Sequence, residues 1–443
     1  MSALTRAGAL LAAVLLPAVA AAQGAAEAPR PISLDEAVRL AQENAPALVS
    51  ARGTLRSNAA QVRRSYAAFL PSVNLTAGSS RSAGVSEVAG QLVPRRGDPW
   101  SFSNGLSANL ELFDGGQRFA DLNRAKATVD AAEATEITQR FAIALNVKRQ
   151  YYAVLAAREA ENAARQQLEQ AEQQLAAAAA RLRAGSATKS DSLRTAIQVG
   201  NAQLAVLTAQ NNIRNGNVAL TRLVATPYVV TAGPQEDEPT AAATAVDSAM
   251  LAELVLDVPS VRQAQANLVA AKAGVKSART AYLPSVSMSY SYRANQSSEG
   301  FETGNLWLLT GQNPNSKSLS FNFSYPLFNQ LQRETTVIQA EVQERNAEAS
   351  LRDSRLAAQE ELAQAVGDLR LAQERIRIQQ QAVLSGEEDL RVQTERYQLG
   401  AATLLDVLTS QTTLNQARLS LIQARFDARI ARAQIEALIG REL

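Results

Sequence analysis

The chain has 443 residues and contains neither cysteine nor histidine. Without cysteine there is no disulfide framework and no Cys-anchored lipoprotein, so stability must come from packing or assembly. Without either residue, zinc and copper lose their usual ligands. Nucleophilic triads lose their usual base, and thiol chemistry is impossible. Carboxylate-only catalysis stays conceivable, but no Asp/Glu pair stands apart from the helical charge pattern. The expectation is a protein that is not an enzyme, with no catalytic residue, no cofactor and no metal. Net charge is also scarce: 44 Lys+Arg face 42 Asp+Glu, which argues against nucleic acid as a partner. Long apolar runs are missing too. Residues 1–22 read as a secretory signal, with Arg6 in the n-region, Ala7 to Val19 as the h-region and Ala20-Ala21-Ala22 before the cleavage point. That run is too short to span a membrane as a helix, and nothing after it reaches roughly 18 consecutive apolar residues.

What the chain does contain, it contains twice. Leu70-Pro71-Ser72-Val73 returns as Leu283-Pro284-Ser285-Val286, an offset of 213. Leu112-Phe113 followed by Gln117-Arg118 returns as Leu327-Phe328 followed by Gln332-Arg333, now at 215. The same 215 carries Arg181, Gly185, Ala187, Thr188, Asp191 and Leu193 onto Arg396, Gly400, Ala402, Thr403, Asp406 and Leu408. Two copies are too few for a solenoid, so the duplication implies a symmetric object built from large halves. The organisation expected is a first repeat over 33–225 with a strand hairpin near 72–113, a linker over 226–246, and a second repeat over 247–443 with a hairpin near 286–328.

Each half carries the same helices. Residues 33–68 read as one helix capped by Ser33, with Glu36 completing a capping box and Pro46 predicting a kink or break. One very long helix is expected over 116–183 and a third over about 190–224. The second half repeats them as 247–281, 330–398 and 404–440. In each half the two shorter helices sum to the long one, so they can stack end to end beside it, about 100 Å tall at 1.5 Å per residue. Apolar positions recur every seven residues, as in Val199, Val206, Ile213 and Leu220, or Leu369, Ile376, Val383, Leu390 and Tyr397. Such a period implies supercoiled helices with knobs-into-holes packing, which suits either a coiled-coil rod or a wall of helices.

Between the first and second helix of each half the period changes to two. Leu106, Ala108, Leu110 and Leu112 alternate with Gly105, Ser107, Asn109 and Glu111, and Leu319, Phe321, Phe323 and Tyr325 with Ser320, Asn322 and Ser324. Val73, Leu75 and Ala77 and then Val286, Met288, Tyr290 and Tyr292 begin two more strands. Strands of roughly 9 to 12 residues suffice to cross a bilayer at a tilt. A soluble sheet packed on helices is the other reading. Four strands cannot close a barrel, and lipid tolerates no open edge. Strands in a membrane therefore demand an oligomer sharing one barrel.

These residues resemble the TolC-type outer membrane factors, the exit ducts of tripartite efflux pumps and type I secretion systems. The resemblance covers about residues 33–440. It rests on A-x-L-P-S-V before a strand in both halves, on Leu-Phe-Asp-Gly-Gly-Gln at 112–117, and on R-Y-x-x-G-x-x-T-x-x-D-V-L at 396–408, present in weaker form at 181–193. It implies a mainly α protein with a small β part. Long antiparallel coiled-coil helices would form a trimeric α-barrel in the periplasm, and four strands per protomer would share a 12-stranded barrel in outer membrane lipid. The loops near 79–100 and 293–317 would face outside. The partners implied are two further copies of the chain, a periplasmic membrane-fusion adaptor and, through it, a proton-driven or ABC inner-membrane pump.

The helix reversals would then be periplasmic tips. Gly185, Ala187, Thr188, Gly400, Ala402 and Thr403 would contact the adaptor, and Asp191, Asp406, Tyr397, Arg396 and Arg181 would form the entrance gate. Independently of the family, Gly185 and Gly400 can release the long helices, and Thr188 and Thr403 can cap the returning ones with Asp191 and Asp406 at N3. Where the family often carries an arginine two residues past the second tip glycine, this chain has Ala402. Thr409 stands at the second acidic position, which implies a gate held by fewer polar links. The reading from another class is a periplasmic coiled-coil scaffold without a pore.

Overall fold

The computed structural model describes residues 29–81, 84–88, 91–95, 100–185, 188–234, 258–297 and 315–442. The signal expected at 1–22, tip residue Ala187, most of the 226–246 linker and the start of the 247–281 helix lie outside these residues. The chain divides into two compact units that cut across the repeats. One draws on Met1–Ala45, Ala142–Thr244 and Gly367–Gln434, the other on Pro46–Phe141, Ala245–Val366 and Ile435–Leu443.

Strand β1 (Arg30–Ile32) leads into α1 (Leu34–Asn44) and α2 (Pro46–Ala67). The single helix expected over 33–68 is thus two helices. Ala45 adopts ψ 124°, an extended value, because the ring of Pro46 disfavours α geometry in the residue before it. The Ser33 half of the expected capping box is formed, the hydroxyl accepting the Glu36 amide at 3.2 Å. Strands β2 (Ser72–Ser80), β3 (Gly84–Val88), β4 (Gln91–Arg95) and β5 (Ser101–Phe113) follow. Then come α3 (Gln117–Arg183), α4 (Lys189–Val224) and β6 (Val230–Ala232). The second half supplies α5 (Pro259–Arg279), β7 (Ser285–Ser297), β8 (Asn315–Ser324), α6 (Gln332–Gln398) and α7 (Leu404–Ile439). The duplication survives folding to the residue: α3 and α6 both have 67 residues, α4 and α7 both 36.

In the first unit, β1 pairs in parallel with β6 over a core of Ala37, Val147, Tyr151, Val154, Leu220, Val224 and Phe426. The buried Tyr151 hydroxyl lies 3.1 Å from the Ile32 carbonyl and 3.2 Å from that of Gly233. Arg158 donates to the Ala232 carbonyl and to the Thr231 hydroxyl. Burial along the long helices refines the expected seams. The leucines and valines of the heptad line in α4 are half-buried until Leu220, whereas Thr195, Ala202 and Ala209, one step away in the 3-4 pattern, are buried. In α7 the counterparts Ser410, Ala417, Ala424 and Ala431 are buried likewise. Small residues on the seam let helix axes approach closely. At Gly386 a methyl group would stand 3.3 Å from Leu414 Cδ1.

In the second unit the sheet order is β2-β5-β7-β8, all antiparallel, with β3-β4 a separate hairpin. The register sets one face apolar: Val73, Ala108, Tyr290 and Leu319 share a row, Leu110, Met288 and Phe321 another, Val286 and Phe323 a third. The opposite face has the rows Asn74, Ser107, Ser291, Ser318 and Ser72, Asn109, Ser289, Ser320. A bulge between Glu111 and Phe113 takes Leu112 out of the alternation. Pro326 falls beyond the end of β8, where its missing donor breaks no ladder bond. Among the described residues no helix is long and apolar enough to cross a membrane. The apolar face of the sheet is bare: Leu75 is 70% exposed, Phe321 65% and Phe323 68%.

Candidate functional site

The two helix reversals are built alike. α3 and α6 each end on a glycine in the left-handed region, Gly185 at φ 73° and Gly400 at φ 77°. A side chain there would be strained, which is why glycine ends both helices. The Gly185 amide donates to the Leu182 carbonyl, the Gly400 amide to that of Tyr397, and the Ala401 amide to that of Arg396. The Arg396 guanidinium also donates to the Ala401 carbonyl at 3.3 Å. It thereby serves its own helix end, where a cation is favoured by the helix dipole.

The returning helices open on the expected capping boxes. The Thr188 hydroxyl accepts the Asp191 amide at 3.2 Å, and Asp191 Oδ2 accepts the Thr188 amide at 3.1 Å and hydroxyl at 2.7 Å. In the second tip, Asp406 Oδ2 accepts the Thr403 amide at 2.7 Å and hydroxyl at 2.8 Å, while the Thr403 hydroxyl accepts the Asp406 amide at 3.3 Å. Those bonds favour the ionised carboxylates. The Thr188 hydroxyl and then amide lower the pKa of Asp191, helped by Arg194. The Thr403 amide and then hydroxyl lower that of Asp406, helped by Arg396. Each carboxylate commits one oxygen, Oδ2, to its cap.

Of the five residues expected at the gate, the fold joins two across the repeats: the Arg181 guanidinium carbon sits 4.9 Å from the centre of the Tyr397 ring. Asp191 and Asp406 are bound locally to their own caps, and Arg396 to its own helix end. Sequence reasoning missed the apolar side chains exposed at the tips, Leu193, Ile197, Leu399 and Leu405; Leu399 is 84% exposed. Each lies off the heptad lines, and that was the available signal. It also missed a polar layer deeper in the same unit. There the buried Gln411 accepts from Gln174 Nε2 at 3.0 Å and donates to Gln170 Oε1 at 3.3 Å.

Comparison with known proteins places these features. Residues 37–226 and again 251–441 match the family described as outer membrane efflux protein. The chain belongs to that family. It is 30% identical over 401 residues to protein CyaE of Bordetella pertussis, covering 87% of this chain and 79% of CyaE. It is 26% identical over 412 residues to the pyoverdine export outer membrane protein OpmQ of Pseudomonas aeruginosa, covering 92% and 83%. The solved structure of CusC superposes with a TM-score of 0.81 at 19% identity, covering 95% of this chain and 96% of that one. The open state of the Neisseria gonorrhoeae channel MtrE gives 0.74 at 20% identity, covering 92% and 89%. The protein is therefore an outer membrane channel of the efflux and secretion type, with its helical part in the periplasm. Its family is one of channels, not enzymes.

Proposed function

We propose that three copies of this chain form one passive exit duct, opened at the helix tips by an adaptor and an inner-membrane pump. The observation that carries this reading is the four-stranded sheet. Among the described residues its outer strands β2 and β8 each have one edge without a partner strand, and one of its faces is apolar and exposed. An edge in hydrocarbon leaves amides and carbonyls unbonded. Pairing β8 of one copy with β2 of the next satisfies both edges, and three copies give twelve strands. The apolar face then meets lipid and the Ser/Asn face lines water, as in barrels of this kind. The duplicated helices, of equal length in both halves, supply the matching periplasmic wall.

The tips are the entrance. Arg181, Tyr397, Asp191, Asp406 and Arg396 hold it closed, and the reversals containing Gly185, Ala187, Thr188, Gly400, Ala402 and Thr403 receive the adaptor. The exposed Leu193, Leu399 and Leu405 add apolar area for that contact. The duct holds no energy source, so opening is a switch between two packings of the tip helices driven from outside.

The test is assembly in outer membranes. The wild type should migrate as a heat-modifiable trimer and conduct in planar bilayers. Phe321→Lys places a charge on the lipid face at a cost of about 2–4 kcal/mol near the midplane, and should abolish the trimer. Ser320→Lys, on the water face of the same strand, should retain it. Equal behaviour of the two variants would refute the assigned faces.

A further inference from the structure

Just below the sheet in the second unit, two joined clefts are lined by positions that the duplication fills with different chemistry. The first, about 330 Å³, lies between α2 and α3 and is lined by Asn58, Gln61, Arg64, Arg118, Asp121 and Arg124 among others. It joins a larger cleft through Ala68, Arg118, Asp121 and Arg124. That second cleft contains Ser277, Arg333, Thr336 and Gln339, which are the repeat partners of Arg64, Arg118, Asp121 and Arg124 at the offsets of 213 and 215. Glu111, Ser285 and Ser324, all on the Ser/Asn face of the sheet, line it as well. The second cleft therefore opens toward the side that the barrel reading makes its interior, and the first reaches that side through the four residues the two share.

The second copy is an internal control. It builds the corresponding helix junction with serine and glutamine at the places of Arg64 and Arg124, so the junction stands without those two charges, whereas Asp121 also bonds Ser277. Only the arginine at 118 and 333 is kept, and it has a structural task in both halves. Arg118 donates to the Leu112 carbonyl and stacks on Phe69, as Arg333 donates to the Leu327 carbonyl and stacks on Tyr282. In the first copy Arg118 is also paired with Asp114 at 2.8 Å. Asp121 is held by Arg124 at 3.3 Å and by the Ser277 hydroxyl at 3.1 Å. Among the described residues no carboxylate pairs with Arg64. The cleft thus keeps one guanidinium unspent and a second, Arg124, only half covered, beside the amides of Asn58 and Gln61.

We propose that this first-repeat cleft is a contact site for anionic cargo on the inner wall of the duct, taking carboxylate or phosphate groups against Arg64 and Arg124. The proposal rests on the duct reading. Guanidinium forks suit such oxyanions because two parallel N–H donors match two oxygens. Three copies would place a ring of these sites where the helical wall meets the barrel.

The test uses the whole trimer in planar bilayers, with citrate added on the side of the barrel mouth. Citrate should produce a concentration-dependent block of the wild type. The variant Arg64→Ser/Arg124→Gln carries the second copy's residues at both arginines and keeps Asp121, which still accepts the Ser277 hydroxyl. It should conduct KCl like the wild type and need about tenfold more citrate for the same block. Equal block of both channels, or no block of the wild type, overturns the site while leaving the duct standing. A wild type that forms no channel overturns the duct reading and the site with it.

Discussion

Arg181 and Tyr397 tie the C-terminal ends of α3 and α6 together, the guanidinium carbon lying 4.9 Å from the ring centre. The echo pairs Arg181 with Arg396 and Leu182 with Tyr397, so this contact joins two positions that are unlike in the repeat. A cation over an aromatic face is worth about 0.5–1 kcal/mol at an exposed site. Under the proposed gate, Arg181→Gln should raise single-channel conductance in planar bilayers, while Tyr397→Phe, which keeps the ring, should not. A conductance unchanged by Arg181→Gln would remove this pair from the gate.

The caps give the tips a pH dependence of known sign. Hydrogen bonds from Thr188 and Thr403 hold Asp191 and Asp406 below the ordinary carboxylate value, near 3.9 for aspartate. A depressed folded pKa contributes stability that is complete above the unfolded value and is lost as pH falls through the folded one. Both caps should therefore be intact at neutral pH and release only below about pH 4. Channel conductance should rise in that window in the wild type. In Asp191→Asn/Asp406→Asn the step should be absent and the neutral-pH conductance already higher. An identical pH profile in both proteins would confine the two aspartates to local capping.

These caps were legible because a capping box is a local pattern: Thr188 and Asp191, or Thr403 and Asp406, need only three residues of spacing. The strand faces were legible for the same reason, since alternation at Leu106 to Leu110 fixes them residue by residue, although the bulge that removes Leu112 left no mark in the pattern. The buried seam was harder. Periodicity draws the eye to Val199, Val206 and Ile213, whereas Thr195, Ala202 and Ala209, which the packing buries more completely, vanish into an alanine-rich background. The contact between Arg181 and Tyr397 depends on how two helices 215 residues out of step come together, and no local pattern carries that.

The Arg118 and Arg333 clamps explain why Leu-Phe and Gln-Arg recur together. Each guanidinium bonds the carbonyl six residues back and covers the aromatic that ends the preceding helix. Asp114 strengthens the first clamp, and the echo replaces it by Asn329. Lysine can keep the charge but not the fork. Arg118→Lys should destabilise the protein by about 1.5–3 kcal/mol, the range for hydrogen bonds to charged groups. Arg333→Lys should cost less, read as the smaller drop in Tm. The reverse order would show that Asp114 adds nothing.

Gln411 is almost wholly buried in α7 between Gln170 and Gln174, and Gln174 Oε1 has no hydrogen-bond partner. A polar residue on a heptad seam lowers stability but fixes register. Removing only the central member strands its neighbours, so Gln411→Leu should cost about 1–3 kcal/mol for the unmet polar groups. Replacing Gln170, Gln174 and Gln411 together by leucine leaves none stranded. That triple variant should be as stable as the wild type or more so in thermal melts. The loss should appear as register instead: cysteine pairs placed across α3 and α7 below the layer should cross-link at a single spacing in the wild type and at several in the triple variant. One spacing in both proteins would leave the layer without a role in alignment.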